Sequence, residues 1–224
     1  MKIAIIVAMS KELNLLTPLI KDHKQLTIND TVFHTGTIGD KDVIVLQSGI
    51  GKVNAAIATL TLIENFHPSL VINTGVAGGT GQGASILDVV VGERVAYHDV
   101  WCGPDTIDGQ AARCPLYFEC PLSADTIAKI GAKAGLIASG DIFVSRPEDI
   151  SRILRLYPDA MAVDMESAAI AHVCHVKNVP FVSIRVISDT PGAEDNISQY
   201  ENFWEDAPRH TFEALNKLLA LLGE

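Results

Sequence analysis

The sequence predicts an α/β fold, a single-domain, three-layer sandwich with a central mixed, largely parallel twisted sheet flanked by helices. Short apolar segments rich in β-branched residues alternate along the chain with longer segments of helical period. An early pair of strands joined by a tight turn indicates that the sheet is mixed. No internal repeat, low-complexity segment or linker divides the 224 residues, so we expect residues 1–224 to form one domain.

The first half of the chain begins with a buried strand. Ile3–Ala8 is continuously apolar, as in a strand covered on both faces, and Ser10 is in place to cap the helix that follows. Two strands, a glycine-rich loop, a helix and another buried strand are then predicted at Thr31–Thr37, Asp42–Gln47, Ser48–Lys52, Val53–Phe66 and Leu70–Asn73. Thr74–Gly79 is expected to be a loop that closes the last of these strands.

The second half repeats the alternation around a long loop. Ile86–Tyr97 is predicted as one or two strands, and residues 98–122 as a loop because they combine little periodicity with several prolines. A helix, a strand, a short helix, a strand–helix junction and a final strand follow at Ser123–Lys133, Gly135–Phe143, Pro147–Leu156, Ala162–Ala171 and Phe181–Ile187. Residues 190–203 are expected to be a polar loop, and Trp204–Leu222 a helix with Phe212, Leu215, Leu218 and Leu219 inward.

Composition and charge exclude several classes of partner. The formal net charge is −10 and no basic run occurs, so we expect no binding to nucleic acid or to a membrane surface. No segment approaches the ~20 apolar residues of a membrane span, and Met1–Met9 resembles a strand more than a targeting leader. The four cysteines have no C-x-x-C spacing, which favours reduced thiols in a cytoplasmic protein.

Carboxylates follow three different predicted strands. Glu12 lies just after the first strand, Glu166 at a strand–helix junction, and Asp189 at the end of the last strand. Each of them alone would be an ordinary acid at a helix or strand terminus. Because ligands of α/β proteins bind beyond the carboxyl ends of the strands, we expect the three acids to share a pocket that handles protons and hydroxyls.

Other candidate residues carry weaker patterns. The loops at Ser48–Lys52 and Thr74–Gly79 match neither the Walker A motif nor the dinucleotide fingerprint. Apolar side chains that suit the face of a purine or a ribose, although they are more often core residues, stand at strand ends: Met9, Phe143 and Met165. Three histidines lack metal-ligand spacing, so we expect no metal site at His98, His172 and His175.

Several ordered motifs match a known family. They are Ile5–Glu12, Ser48–Ala56, Asn73–Gly79, Gly135–Phe143, Ala162–Ala171 and Arg185–Asp189. With them, the chain resembles the 5′-methylthioadenosine/S-adenosylhomocysteine nucleosidases of the nucleoside phosphorylase superfamily over nearly its whole length. The resemblance implies a nucleoside phosphorylase-like fold, no cofactor, and a homodimer. It also implies hydrolysis of an adenine thioribonucleoside to adenine and a 5-thio-substituted ribose, a reaction of nucleoside catabolism and methionine salvage.

The resemblance further implies roles for individual residues. Asp189 looks like the acid that protonates adenine N7, with Ser188 supporting it, and Glu12 looks like the carboxylate that orients and deprotonates water. Glu166 matches the residue that binds the ribose hydroxyls. The other residues expected to line the site are Phe143 and Val144 at adenine, Met165 beneath the sugar, and Met9, Ile50, Val76, Ala77, Gly78 and Arg185.

This chemistry is consistent with the residue types. Adenine leaves poorly as an anion, so an acid whose pKa is raised by burial would lower the barrier, and carboxylates would stabilise an oxocarbenium-like ribose. Phosphorolysis would instead need a phosphate pocket, which is usually lined by arginine. The chain has no arginine before Arg94 and carries Glu12 where that pocket would form, so water is favoured as the nucleophile.

Alternatives stay open at this point. They are a purine nucleoside phosphorylase, an adenine nucleosidase for aminofutalosine or 5′-deoxyadenosine, and a silent nucleoside-binding protein on the same fold. The chain departs from the family pattern at Val76 and Asp164, where serine and glutamate are more usual. It also diverges in loops 100–122 and 190–204, from which Tyr200 or Phe203 would close over the sugar.

Overall fold

Strands and helices alternate throughout the computed structural model, which describes residues 1–206 and 208–222. The strands are β1 Lys2–Val7, β2 Lys21–Ile28, β3 Thr31–Ile38, β4 Lys41–Gln47, β5 Leu70–Gly79, β6 Val89–Tyr97, β7 Phe118–Glu119, β8 Lys133–Ser139, β9 Ala160–Asp164 and β10 Phe181–Asp189. The helices are α1 Ser10–Leu16, α2 Lys52–Phe66, α3 Ala124–Lys129, α4 Pro147–Leu156, α5 Ser167–Lys177, α6 Asn196–Asp206 and α7 Pro208–Leu221. Within the described ranges, no helix is both long and apolar enough to cross a membrane.

The strands form one mixed sheet in the order β10-β6-β8-β9-β5-β1-β4-β3-β2, with β7 beside β6. One edge of β5 pairs with β10, whereas the other pairs first with β1 and then, at Gly78 and Gly79, with β9. Strands β5, β10, β6, β8 and β9 therefore close into a ring, and β1, β4, β3 and β2 extend from it. The predicted α/β fold with a mixed sheet is confirmed, and the ring closure is a feature that the sandwich prediction lacked.

Two apolar layers cover the faces of the sheet. Strand β1 alternates between them: Ala4 and Ile6 face a cluster with residues of α2 and α5, whereas Ile3, Ile5 and Val7 face a cluster with residues of α1, α3 and α7. The side chains predicted to point inward from the last helix are all buried in the second cluster: Phe212, Leu215, Leu218 and Leu219. Helices on both faces give the three layers that the sequence predicts.

Several element predictions are corrected. Thr74–Gly79 is the second half of β5 and not a loop, because its backbone pairs with β10 and β9 inside the ring. Strand β2 was not predicted, since as an edge strand it is almost entirely exposed and has no apolar face to recognise. Ser10 does not cap α1, because Met9 occupies the N-cap position and the Ser10 hydroxyl donates to Gln47 Oε1 instead.

The prediction for the C-terminal region is wrong in one respect that matters for the site. Helix α6 begins at Asn196, inside residues 190–203, which were expected to be a polar loop. The single helix expected from Trp204 is the end of α6 followed by α7, and residue 207 between them lies outside the described residues. Pro208 is the first residue of α7, where its missing N–H has no cost.

We predict that Leu16→Ala lowers the free energy of unfolding by about 2–5 kcal/mol, because Leu16 is fully buried one helical turn after Glu12 and anchors α1 to the core. Leu19→Ala is the matched control: Leu19 is 37% exposed, and its loss should cost less than about 1 kcal/mol. Urea denaturation of both variants measures the two free energies of unfolding. Equal losses would contradict the role of Leu16 in anchoring α1 to the core.

Candidate active site

A cleft that is partly open to solvent lies beyond the carboxyl ends of β1, β5, β9 and β10. Every site residue expected from the sequence lines it: Met9, Glu12, Ile50, Val76, Ala77, Gly78, Phe143, Val144, Met165, Glu166, Arg185, Ser188 and Asp189. Four residues of the lining were not among the site residues expected from the sequence: Ala8, Ile142, Val163 and Asp164. Tyr200, one of the two candidates for closing the pocket, also lines the cleft.

Glu12 projects from the first turn of α1 and is almost fully buried. Its Oε2 accepts hydrogen bonds from the backbone N–H groups of Ala8 and Met9, both at 2.9 Å, and its Oε1 accepts one from Val76 at 3.3 Å. Burial raises the pKa of Glu12, and the nearby Arg185 and these three hydrogen bonds oppose the rise. Gly75 is required beside it, because a Cβ there would collide with Glu12 Oε1.

Glu166 is held where two helices begin. It is the N-cap residue of α5, and its Oε1 accepts a hydrogen bond of 3.0 Å from the backbone N–H of Gly51, the N-cap residue of α2. Its Oε2 lies 3.5 Å from Arg185 Nη2. Burial raises the pKa of Glu166; Arg185 opposes that rise, and the Asp164 charge adds to it.

Arg185 occupies the centre of a buried polar cluster. Its Nη2 lies 2.5 Å from Asp164 Oδ2, and it also donates to Asn73 Oδ1 and to Ser167 Oγ. The other terminal nitrogen, Nη1, donates to the Val76 carbonyl at 3.2 Å. Both terminal nitrogens of the guanidinium are therefore already bound by groups of the protein. Asp164, which the sequence marked only as a departure from the family pattern, is its closest ionic partner.

Asp189 ends β10 at an irregularity in the β10–β5 pairing and is also buried. The Ser188 hydroxyl donates to its Oδ1 at 2.5 Å, and the Asn196 side-chain amide donates to its Oδ2. Burial raises the pKa of Asp189, and the hydrogen bonds from Ser188 and Asn196 oppose the rise. Asn196 was missed in the sequence because the segment that carries it was expected to be a loop.

Apolar and aromatic residues form the mouth of the cleft. The Phe143 ring, 46% exposed, meets the Tyr200 ring edge to face at 5.5 Å, and the Tyr200 hydroxyl lies 3.3 Å from Met9 Sδ. Phe203, the other candidate for closing the pocket, is buried and packs with Val186. Of the two candidates, Tyr200 is therefore the one that reaches the cleft.

The cleft combines apolar and aromatic side chains with three buried carboxyl groups that have raised pKa values. Such groups are suited to donating a proton, to accepting one, and to binding hydroxyls. Among the described residues, no three His, Cys, Asp or Glu side chains are grouped in a way that could hold a metal ion.

Comparisons with known proteins identify the family of this chain. The model of the phosphorylase superfamily matches residues 2–220. The 5′-methylthioadenosine/S-adenosylhomocysteine nucleosidase of Actinobacillus succinogenes is 40% identical over 230 residues, which cover 99% of this chain and 100% of the relative. This chain belongs to that nucleosidase family.

Solved structures extend the likeness. The S-adenosylhomocysteine nucleosidase of Streptococcus pyogenes, in complex with 5-methylthiotubericidin, matches with a TM-score of 0.93 and 35% identity, covering 100% of this chain and 98% of that one. The futalosine hydrolase of Helicobacter pylori matches with a TM-score of 0.89 and 30% identity, covering 99% and 98% of the two chains.

For this member of the nucleosidase family, we predict that Arg185→Met lowers the free energy of unfolding by about 3–5 kcal/mol, because it leaves Asp164 and Glu166 buried without their cation. The loss should grow as pH rises, because burial raises the pKa of Glu166 and the variant lacks the guanidinium that opposes this rise; it should shrink as protonation neutralises Glu166.

The matched control is Arg94→Met, which removes a half-buried ion pair with the exposed Asp159 and should cost about 1 kcal/mol or less. Urea denaturation as a function of pH compares the two variants. A pH-independent loss in Arg185→Met would show that the guanidinium does not neutralise Glu166.

Proposed function

We propose that this protein hydrolyses the N-glycosidic bond of 5′-methylthioadenosine and S-adenosylhomocysteine, releasing adenine and the 5-thio-substituted ribose. The observation that carries the proposal is that Glu12, Glu166 and Asp189 enter one cleft from three elements, all with pKa values raised by burial. The names of the relatives support the same substrates. A silent nucleoside-binding protein would not need both an acid at Asp189 and a base at Glu12.

Asp189 is the proton donor of the proposed reaction. Burial keeps its carboxyl group protonated to higher pH than usual, and the proton passes to N7 of adenine as the bond from C1′ to N9 breaks. The carboxylate left behind accepts the hydrogen bonds of Ser188 and Asn196. Adenine then leaves as a neutral base and not as an anion.

Glu12 is the general base on the other side of the reaction. It accepts one proton from a water molecule whose oxygen forms the new bond to C1′. Its hydrogen bonds to the backbone of Ala8, Met9 and Val76 fix the direction of the carboxylate. The negative charges of the cleft stabilise the positive charge that develops on the ribose.

The remaining side chains bind and orient the nucleoside. Glu166, fixed by the Gly51 N–H, accepts hydrogen bonds from the ribose hydroxyls, and Met165 lies beneath the sugar. Phe143 stacks on adenine, and the backbone of Val144 reads its edge. The 5′ substituent extends towards the mouth, where the apolar and aromatic side chains of Met9, Ile50 and Tyr200 suit a thioether.

Hydrolysis is favoured over phosphorolysis by the charge of the cleft. Among the described residues that line it, Arg185 is the only basic one, and its guanidinium is committed to Asp164, Asn73 and the Val76 carbonyl. A phosphate ion would meet buried acids and no free cation. Aminofutalosine and 5′-deoxyadenosine are the second candidate substrate class, and the likeness to futalosine hydrolase is the observation that favours the first of them.

We also propose that the protein is a cytoplasmic homodimer in which residues 1–224 form one nucleosidase domain. Four free cysteines agree with a reducing compartment. An apolar groove runs between α2 and α5, lined by exposed side chains that include Val53, Ile57 and Val176. The groove begins at the N-terminal end of α2, two residues after Ile50 of the cleft, so a second copy on this face would also border the active site.

Adenine and thioribose released by the proposed reaction would enter nucleoside catabolism and methionine salvage.

We predict that Asp189→Asn lowers kcat for methylthioadenosine by about 10²–10⁴-fold while adenine binding stays within a few-fold of wild type, because the amide keeps the shape but cannot protonate N7. In the wild type, kcat should fall as pH rises through the pKa of Asp189, since the deprotonated group is no longer a donor. Adenine release in phosphate-free buffer measures kcat. The control is Asp195→Asn, an exposed acid nearby, and unchanged turnover in Asp189→Asn would contradict the assignment.

We predict that Ile57→Glu shifts the protein from dimer to monomer, because Ile57 is 58% exposed in the centre of the apolar groove and a carboxylate there would be buried by the second copy. Leu26→Glu, which places the same charge on the exposed strand β2, should leave the mass unchanged. Light scattering after size exclusion gives the masses, and a dimeric Ile57→Glu variant would place the interface elsewhere.

A further inference from the structure

Asn196 is an unusual buried residue in a polar segment. It is the first residue of α6, only 2% of its surface is exposed, and its neighbours Asp195 and Ile197 are both exposed. Its side-chain Nδ2 donates to Oδ2 of Asp189, opposite the Ser188 hydroxyl that donates to Oδ1. The two oxygens of the carboxyl group are thus held by two different elements, β10 and α6.

The amide oxygen of Asn196 adds a second observation. Oδ1 is buried and has no hydrogen-bond partner among the described residues, which is a costly state for an acceptor. An amide presents a donor on one side and an acceptor on the other. Turned by half a rotation, the same side chain would accept a hydrogen bond from protonated Asp189. Asn196 can therefore form a hydrogen bond with either protonation state of Asp189: its amide N–H donates to the carboxylate, and its amide oxygen accepts from the protonated acid.

Helix α6 is fixed over the cleft by further contacts. Gln199 Oε1 accepts a hydrogen bond of 2.8 Å from the Thr190 N–H, and the Tyr200 hydroxyl reaches Met9 Sδ. One helical turn separates Asn196 from Tyr200, so the side chain that contacts Asp189 and the side chain at the mouth of the cleft lie on adjacent turns of the same helix.

We propose that Asn196 is a positioning residue for the proton donor: its N–H holds Asp189 in place and stabilises the carboxylate that forms as the proton leaves for the leaving group. This inference rests on the proposed function. Asn196 acts through Asp189, because it is absent from the lining of the cleft. A hydrogen bond to a group that gains charge in the transition state accelerates the step more than it strengthens substrate binding.

The surroundings of Asp189 make its titration a usable readout. The ionisable groups that share the cleft are Glu12, Glu166, Asp164 and Arg185, and on the α6 side Glu194, Asp195 and Glu201 are all exposed. The factors that shift the pKa of Asp189 are burial, which raises it, and the hydrogen bonds of Ser188 and Asn196, which lower it. Loss of the Asn196 donor should therefore raise this pKa further.

The experiment compares kcat, KM and the pH dependence of kcat for the wild type, Asn196→Ala, Asn196→Asp and Ile197→Ala, with methylthioadenosine in phosphate-free buffer. Asn196→Ala should lower kcat about 10- to 100-fold, the range expected for a hydrogen bond to a charged group, with KM within about two-fold. The alkaline limb of its pH profile, where kcat falls as pH rises, should move to higher pH. Asn196→Asp keeps the shape but replaces the donor by a second carboxyl group, so its limb should move further still.

Each outcome has a distinct meaning. Ile197→Ala removes an exposed side chain from the same turn and should behave like the wild type. If Ile197→Ala loses as much as Asn196→Ala, or if Asn196→Ala keeps the wild-type kcat and alkaline limb, the inference is wrong. A KM effect without a kcat effect would also overturn it. An inactive wild type would contradict the proposed hydrolase itself, and is thereby distinguished from failure of the role of Asn196.

Discussion

The buried pair between Arg185 and Asp164 is the interaction on which the rest of the site depends. It joins the end of β9 to the middle of β10, and through Asn73 and the Val76 carbonyl it reaches β5. A buried pair of this kind is seldom a source of net stability, because both charges must leave water. Its value here is geometric, since three strands that supply the cleft are held at one polar centre.

The carboxyl groups share one cleft, and the different tasks proposed for Glu12 and Asp189 rest on their different partners. Burial raises the pKa of Glu12 and of Asp189, yet their partners differ. Glu12 is surrounded by backbone N–H groups near a guanidinium, which favours the charged form needed by a base. Asp189 has two neutral side-chain donors and no cation among the factors that shift its pKa, which suits an acid that must hold a proton until the leaving group takes it.

Much of this arrangement could be predicted from the sequence, because strand ends with acids at Glu12, Glu166 and Asp189 are a local pattern, and the topology of an α/β sheet brings such ends together. What could not be predicted depends on tertiary partners. The glycines after Asn73 form a strand only because β10 and β9 lie beside them. Helix α6 is polar in sequence, and the burial of Asn196 becomes apparent only once Asp189 lies next to it.

Among the described residues, the only guanidinium that lines the cleft is already bound to Asp164, so we propose that water and not phosphate attacks the ribose. The rate of adenine release from methylthioadenosine, measured with and without inorganic phosphate and with mass spectrometry of the sugar product, tests this proposal. We expect equal rates and a free 5-methylthioribose in both buffers. Release that requires phosphate and yields a ribose 1-phosphate would contradict it.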